Sequence, residues 1–131
     1  MAPSINVDPS NHRIVWIYTR EDYERTLANQ LENALSELKG DPFVFLLDLR
    51  SLRYLLPLDK IMILHIIDKI QAHNLIDLVY LVHSLHYTRM NTILSVNQFP
   101  YKDMVFKYEA NAKEYLDTMV SKYHKGVSLL S

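Results

Sequence analysis

Two uninterrupted apolar runs constrain this chain more than any other feature: Phe43-Val44-Phe45-Leu46-Leu47 and Leu78-Val79-Tyr80-Leu81-Val82. A strand turns alternate side chains to opposite faces, so a strand that is apolar at every position must be covered on both faces. Such strands belong at the centre of a sheet, with helices packed against it. The rest of the chain has to supply those helices. With 131 residues, it is the size of one domain, which buries roughly two-thirds of its unfolded surface.

The helices can be read from spacing and punctuation. Thr19 is placed to cap a first helix, with Asp22 at the capping-box position three residues on. Leu27, Leu31, Ala34, Leu35 and Leu38 follow at helical intervals, and Gly40 stands where a helix-ending glycine belongs. Pro57 suits the first turn of a second helix, which runs to about Asn74. Ser84 is placed to cap a third, from Leu85 to about Val96. A fourth runs from about Ala110 to Tyr123, with Ala112, Tyr115, Leu116, Met119 and Tyr123 on its apolar face and Gly126 at its end.

Residues 5–7 and 12–19 read as a hairpin across the turn-forming Asp8-Pro9-Ser10-Asn11, and residues 104–108 as a last strand. The predicted order is β-β-α-β-α-β-α-β-α. It describes a single α/β domain over residues 1–131, a four- to five-stranded mixed sheet with helices packed on it.

Composition narrows the chemistry. There is no cysteine, which removes disulfides, thiolate metal sites and cysteine nucleophiles and fits a reducing compartment. Only two glycines occur, Gly40 and Gly126, so phosphate-cradling loops, dinucleotide fingerprints and nucleophile elbows have no backbone to build on. A formal net charge of −1, with no run of lysine or arginine, argues against a nucleic-acid partner. The polar opening segment, with Pro3 and Pro9, does not read as a signal peptide. The longest apolar stretch, residues 61–67, is interrupted by His65 and is too short to span a bilayer. The expectation is a cytoplasmic protein without membrane insertion.

Three segments carry a resemblance to a known family. FVFLLDLRSLRYLL (residues 43–56) resembles the strand of STAS domains (sulphate transporter and anti-sigma-factor antagonist) that ends in Asp-Leu before a loop and a helix. LVYLVHSLHYTRMNTILSVN (residues 78–97) is similar to the strand, loop and helix of that family's later half, and MVFKYEANAKEYL (residues 104–116) to its final strand and helix. The resemblance covers nearly the whole chain. It implies a non-enzymatic switch that binds a protein partner, with small ligands bound in some members. In the antagonist members a serine in the loop after the Asp-Leu strand is phosphorylated. The matching stretch here is Leu56-Pro57-Leu58-Asp59, which has no hydroxyl, and Ser51 comes too early to replace it. The phospho-switch therefore does not carry over.

The second helix is the element that points to function. Met62, Ile63, Ile66, Ile67 and Ile70 form its core stripe at about 100° per residue. The opposite side mixes His65, Asp68 and Lys69 with Ile61 and Leu64. Leu58, Ile61, Leu64, His65 and Asp68 form the candidate docking patch, for a protein partner or a second copy of the chain. In STAS domains the helix after the switch loop lies beside the partner, which the resemblance extends to this patch.

A second reading puts a small anionic ligand, or an enzymatic site, at the strand ends near Asp48, Ser84 and Arg89, where open α/β sheets place their crevices. Asp48 also invites comparison with a phosphoacceptor, Glu21 and Asp22 supplying the acidic pair for magnesium. However, Asp48 follows one strand–helix unit, whereas a receiver domain needs two. The six histidines lack the spacing of a zinc site, and no cofactor is expected. Tyr18, Tyr80, Tyr108, Tyr115 and Tyr123 fall on predicted element faces as packing residues.

Overall fold

The computed structural model describes residues 4–21 and 24–130, with the side chains of all of these except 24 and 127–130. The two apolar runs become β3 (Phe43–Asp48) and β4 (Leu75–Leu81). Ahead of them come β1 (Ile5–Asp8), β2 (Arg13–Ile17) and α1 (Glu24–Leu38). Between them lies α2 (Pro57–Gln71), and after them α3 (Tyr87–Val96), β5 (Val105–Phe106) and α4 (Glu109–Leu130). The architecture is α/β: a five-stranded mixed sheet in the order β1-β2-β3-β4-β5 with four helices packed on it. β1 is antiparallel to β2, and every later pair is parallel.

That order decides which face each helix covers. Crossovers of one hand, stepping one way across a sheet, leave all their helices on the same side. Residues 43, 45 and 47 of β3 and 78 and 80 of β4 meet Leu27, Leu31, Ala34 and Leu38 of α1, Ile63, Ile66, Ile67 and Ile70 of α2, and Met90 and Leu94 of α3 in one buried cluster. The alternate residues Val44, Leu46, Val79 and Leu81 would then face water. α4 crosses the opposite face and buries them under Ala112 and Leu116. Arg13 of β2, itself buried, reaches α4 through a 2.6 Å ion pair with Asp117, and Tyr115 of α4 donates to Asp77 of β4 at 2.6 Å.

Several local expectations are corrected. α1 begins at Glu24, five residues beyond the proposed cap Thr19; Asp22 lies outside the described residues. Ser84 does not cap the third helix. It opens a 3-10 turn, Ser84–His86, whose cap is His83: extended backbone there aims Nδ1 at the N–H of Leu85, 3.1 Å away, and α3 proper starts at Tyr87. Gly126 does not end α4, which continues to Leu130. Tyr108 and Tyr123 are 54% and 40% exposed, and Val120 takes the packing place expected of Tyr123. β5 is only two residues long. At the end of α1 the chain reverses through Lys39 (φ 53°) and Gly40 (φ 81°), both left-handed.

The two glycines therefore make opposite demands. A Cβ at Gly126 would meet nothing within 4 Å, and glycine inside a helix costs up to about 1 kcal/mol relative to alanine. Gly126→Ala should raise stability by a few tenths to about 1 kcal/mol. Gly40→Ala, forced into the left-handed region, should lower it by about 1 kcal/mol. Thermal melts followed by circular dichroism would show opposite shifts.

Candidate functional site

The C-terminal end of the sheet is organised by one buried carboxylate. Asp59 sits in the first turn of α2 and is 2% exposed. Tyr18, just past the end of β2, donates its hydroxyl to Oδ1 at 2.5 Å. Arg20 places Nε 3.0 Å from Oδ2, and the backbone N–H of Leu56 donates to Oδ2 at 2.8 Å. This is half of a capping box, since Leu56 has no side-chain acceptor to return the bond. A carboxylate near a helix N-terminus is also favoured by the helix dipole. Arg20 goes on to donate to the carbonyl of Tyr54 at 3.0 Å and lies over the Tyr54 ring, 4.8 Å from its centre. Ser51 donates to the carbonyl of Tyr18 at 2.8 Å. The end of β2, the loop 49–56 and the start of α2 are thus tied at one point.

Around this anchor the surface is apolar. Tyr54, Leu56, Leu58 and Ile61 are 49%, 42%, 67% and 64% exposed. His65 and Asp68 are also exposed, one and two turns further along α2. Leu64 is different: it is partly buried and packs against the main core, so it supports the patch from below. Spacing alone could not separate Ile61 from Leu64, because only the packing of neighbouring segments makes the second partly buried.

The three residues of the second reading are not gathered. Asp48 points to the α4 face, as the alternation of β3 requires, and its carboxylate is taken by Arg50: Nε lies 3.0 Å from Oδ1 and Nη2 2.7 Å from Oδ2, with the Arg50 backbone N–H at 3.0 Å. Arg50 continues to Glu109 at 3.0 Å, the first residue of α4. Asp48 therefore ties β3 to α4, with both carboxylate oxygens engaged by Arg50. Ser84 and Arg89 are exposed on the other side, where α3 packs. A concavity of about 650 Å³ lies at the far end of the sheet, beside Lys39, Gly40 and His73 where α1 and α2 finish. Among the described residues, no three His, Asp or Glu side chains gather as metal ligands would.

The approach of Arg53 to His83, His86 and Arg89 escaped sequence reading because Arg53 lies in loop 49–56 and the other three in the turn and helix after β4. Burial of the imidazole, followed by the charges of Arg53, His83 and Arg89, holds His86 below the usual histidine value. Only spatial proximity reveals this cluster.

Asp59→Ala should cost about 3 kcal/mol in urea unfolding, because it strands a buried tyrosine hydroxyl and a backbone N–H besides the Arg20 pair. Tyr18→Phe should cost about 1 kcal/mol, having removed one bond of the set. A histidine titration by NMR should find His86 ionising below the usual histidine value, and Arg53→Gln should move that ionisation to higher pH by removing a repelling cation.

Comparison of the chain with family models, with curated proteins and with solved structures gives no match.

Proposed function

We propose that this chain is a non-enzymatic regulatory module of STAS-like type that works in the cytoplasm by docking a protein partner, or a second copy of itself. The docking surface is the corner made by loop 49–56 and the exposed side of α2, with Leu58 and Ile61 at its centre, Leu64 beneath, and His65 and Asp68 at its edge. The observation that carries the reading is the exposure of Leu58 and Ile61, 67% and 64%, beside a buried ionic anchor. Scattered exposed apolar residues are ordinary on any protein. Here four of them follow each other along one tethered segment, and holding that segment still removes an entropy cost from association.

The anchor also speaks to the missing serine. In the resembled family the corresponding stretch carries a phosphorylatable hydroxyl. Here it carries Leu56, Pro57, Leu58 and the buried Asp59. The serine switch of the resembled family therefore has no counterpart at residues 56–59. No helix among the described residues is long and apolar enough to cross a membrane.

The test uses Leu58→Asp with Ile61→Asp; Leu64→Asp would confound it, because Leu64 packs on the core. The double variant should keep its melting temperature within the range of surface substitutions, about 0.5 kcal/mol in stability. It should lose self-association in sedimentation velocity or lose partners recovered by crosslinking in the native cytoplasm. Wild-type behaviour in both assays would sink the proposal.

A further inference from the structure

Four basic side chains from two segments distant in sequence meet at the C-terminal edge of the sheet. Arg53 comes from loop 49–56, His83 and His86 from the turn after β4, and Arg89 from the first turn of α3. The charges acting on His86 are those of Arg53, His83 and Arg89, all of one sign. The His83 and His86 rings lie 5.5 Å apart. Arg13, Arg20 and Arg50 each hold a carboxylate. Among the described residues, Arg53 and Arg89 hold none. Both are exposed, and Leu85, between the two histidines in the chain, is 82% exposed.

We propose that this edge docks an acidic protein segment carrying an apolar anchor, its carboxylates pairing with Arg53 and Arg89 and its anchor packing on Leu85. The inference rests on the partner-docking reading above and names the chemistry of the partner. Two unpaired guanidiniums present planar donor forks that match carboxylates, and like charge around them is relieved only by an anion. Leu85 adds apolar contact that a simple counter-ion would not use.

Other polyanions fit less well. Anionic membrane surfaces are held by clusters of about four to eight lysines and arginines, more than Arg53, Arg89 and the Lys107 ammonium beside Tyr87 supply. Single-stranded nucleic acid needs open aromatic faces for its bases. The Tyr54 ring lies under the Arg20 guanidinium, and the Tyr87 ring has the Lys107 ammonium 5.3 Å from its centre.

The experiment is a selection from a random linear peptide library on the full chain, with recovered peptides measured against wild type and an Arg53→Gln/Arg89→Gln variant. Both substitutions are on the surface, and a thermal melt checks that the fold is kept. Recovered peptides should be rich in Asp and Glu around a large apolar residue. They should bind the variant about tenfold more weakly and weaken as salt rises. Recovery of no peptide, of basic peptides, or of peptides that bind the variant as well as wild type overturns the inference. So does co-sedimentation with phosphatidylserine-containing vesicles that the variant loses. Neutral apolar peptides that bind the glutamine variant normally but fail on Leu58→Asp/Ile61→Asp overturn this inference while leaving the docking reading intact.

Discussion

The two-sided burial of β3 and β4 governs the molecule. Every side chain from Phe43 to Leu49 is buried, and so is every one from Leu78 to Val82. Crossovers stepping steadily from β2 to β5 can cover only one face of such strands. The second face waits for a helix that is not a crossover, and α4 is that helix. Its start is held by Arg50, which reaches from Asp48 to Glu109, and further along it is held by the Arg13–Asp117 and Tyr115–Asp77 contacts. Polar side chains thus fix the position of the element that completes an apolar core.

Two carboxylates with opposite surroundings do comparable work at the ends of the parallel strands. Asp48 faces α4 and is neutralised by an arginine two residues away in sequence. Asp59 faces the other layer and is neutralised by Arg20, from a different segment. A buried carboxylate is costly unless its oxygens are hydrogen-bonded, so both positions demand several donors at once. Meeting that demand around Asp59 draws loop 49–56 against β2 and turns Tyr54, Leu56 and Leu58 outward. The exposed apolar corner lies beside this satisfied buried charge. The unpaired arginines next to it have no such partner, which separates surface available for binding from surface committed to structure.

Much of the fold was legible because its signals are local. The five-residue apolar runs marked the central strands, the spacing of Leu27, Leu31, Ala34 and Leu38 marked the buried side of α1, and Asp8-Pro9-Ser10-Asn11 marked the turn between β1 and β2. Where expectation failed, two local rules competed. Ser84 has the chemistry of a cap, yet His83 provides the acceptor because its extended backbone aims the imidazole at Leu85. Gly126 looks like a stop, yet α4 runs through it. Tyr123 keeps helical spacing, yet the stripe that meets the sheet passes through Met119 and Val120.

The candidate surface was legible only in part. Leu58 and Ile61 could be named from periodicity, since a helix has one core stripe and they fall off it. The different fate of Leu64, the sealing of Asp48 and the meeting of Arg53 with His86 and Arg89 could not, because each depends on which segments lie side by side. By itself the sequence determined the α/β class, the central strands, the core stripes of α1 and α2, and the scarcity of glycine and absence of cysteine, residues on which common catalytic motifs depend. Tertiary structure decided the strand order, the face that α4 covers, and which charges are paired. The reason is physical: hydrophobic periodicity is a property of neighbours along the chain, whereas desolvation and ion pairing are properties of neighbours in space.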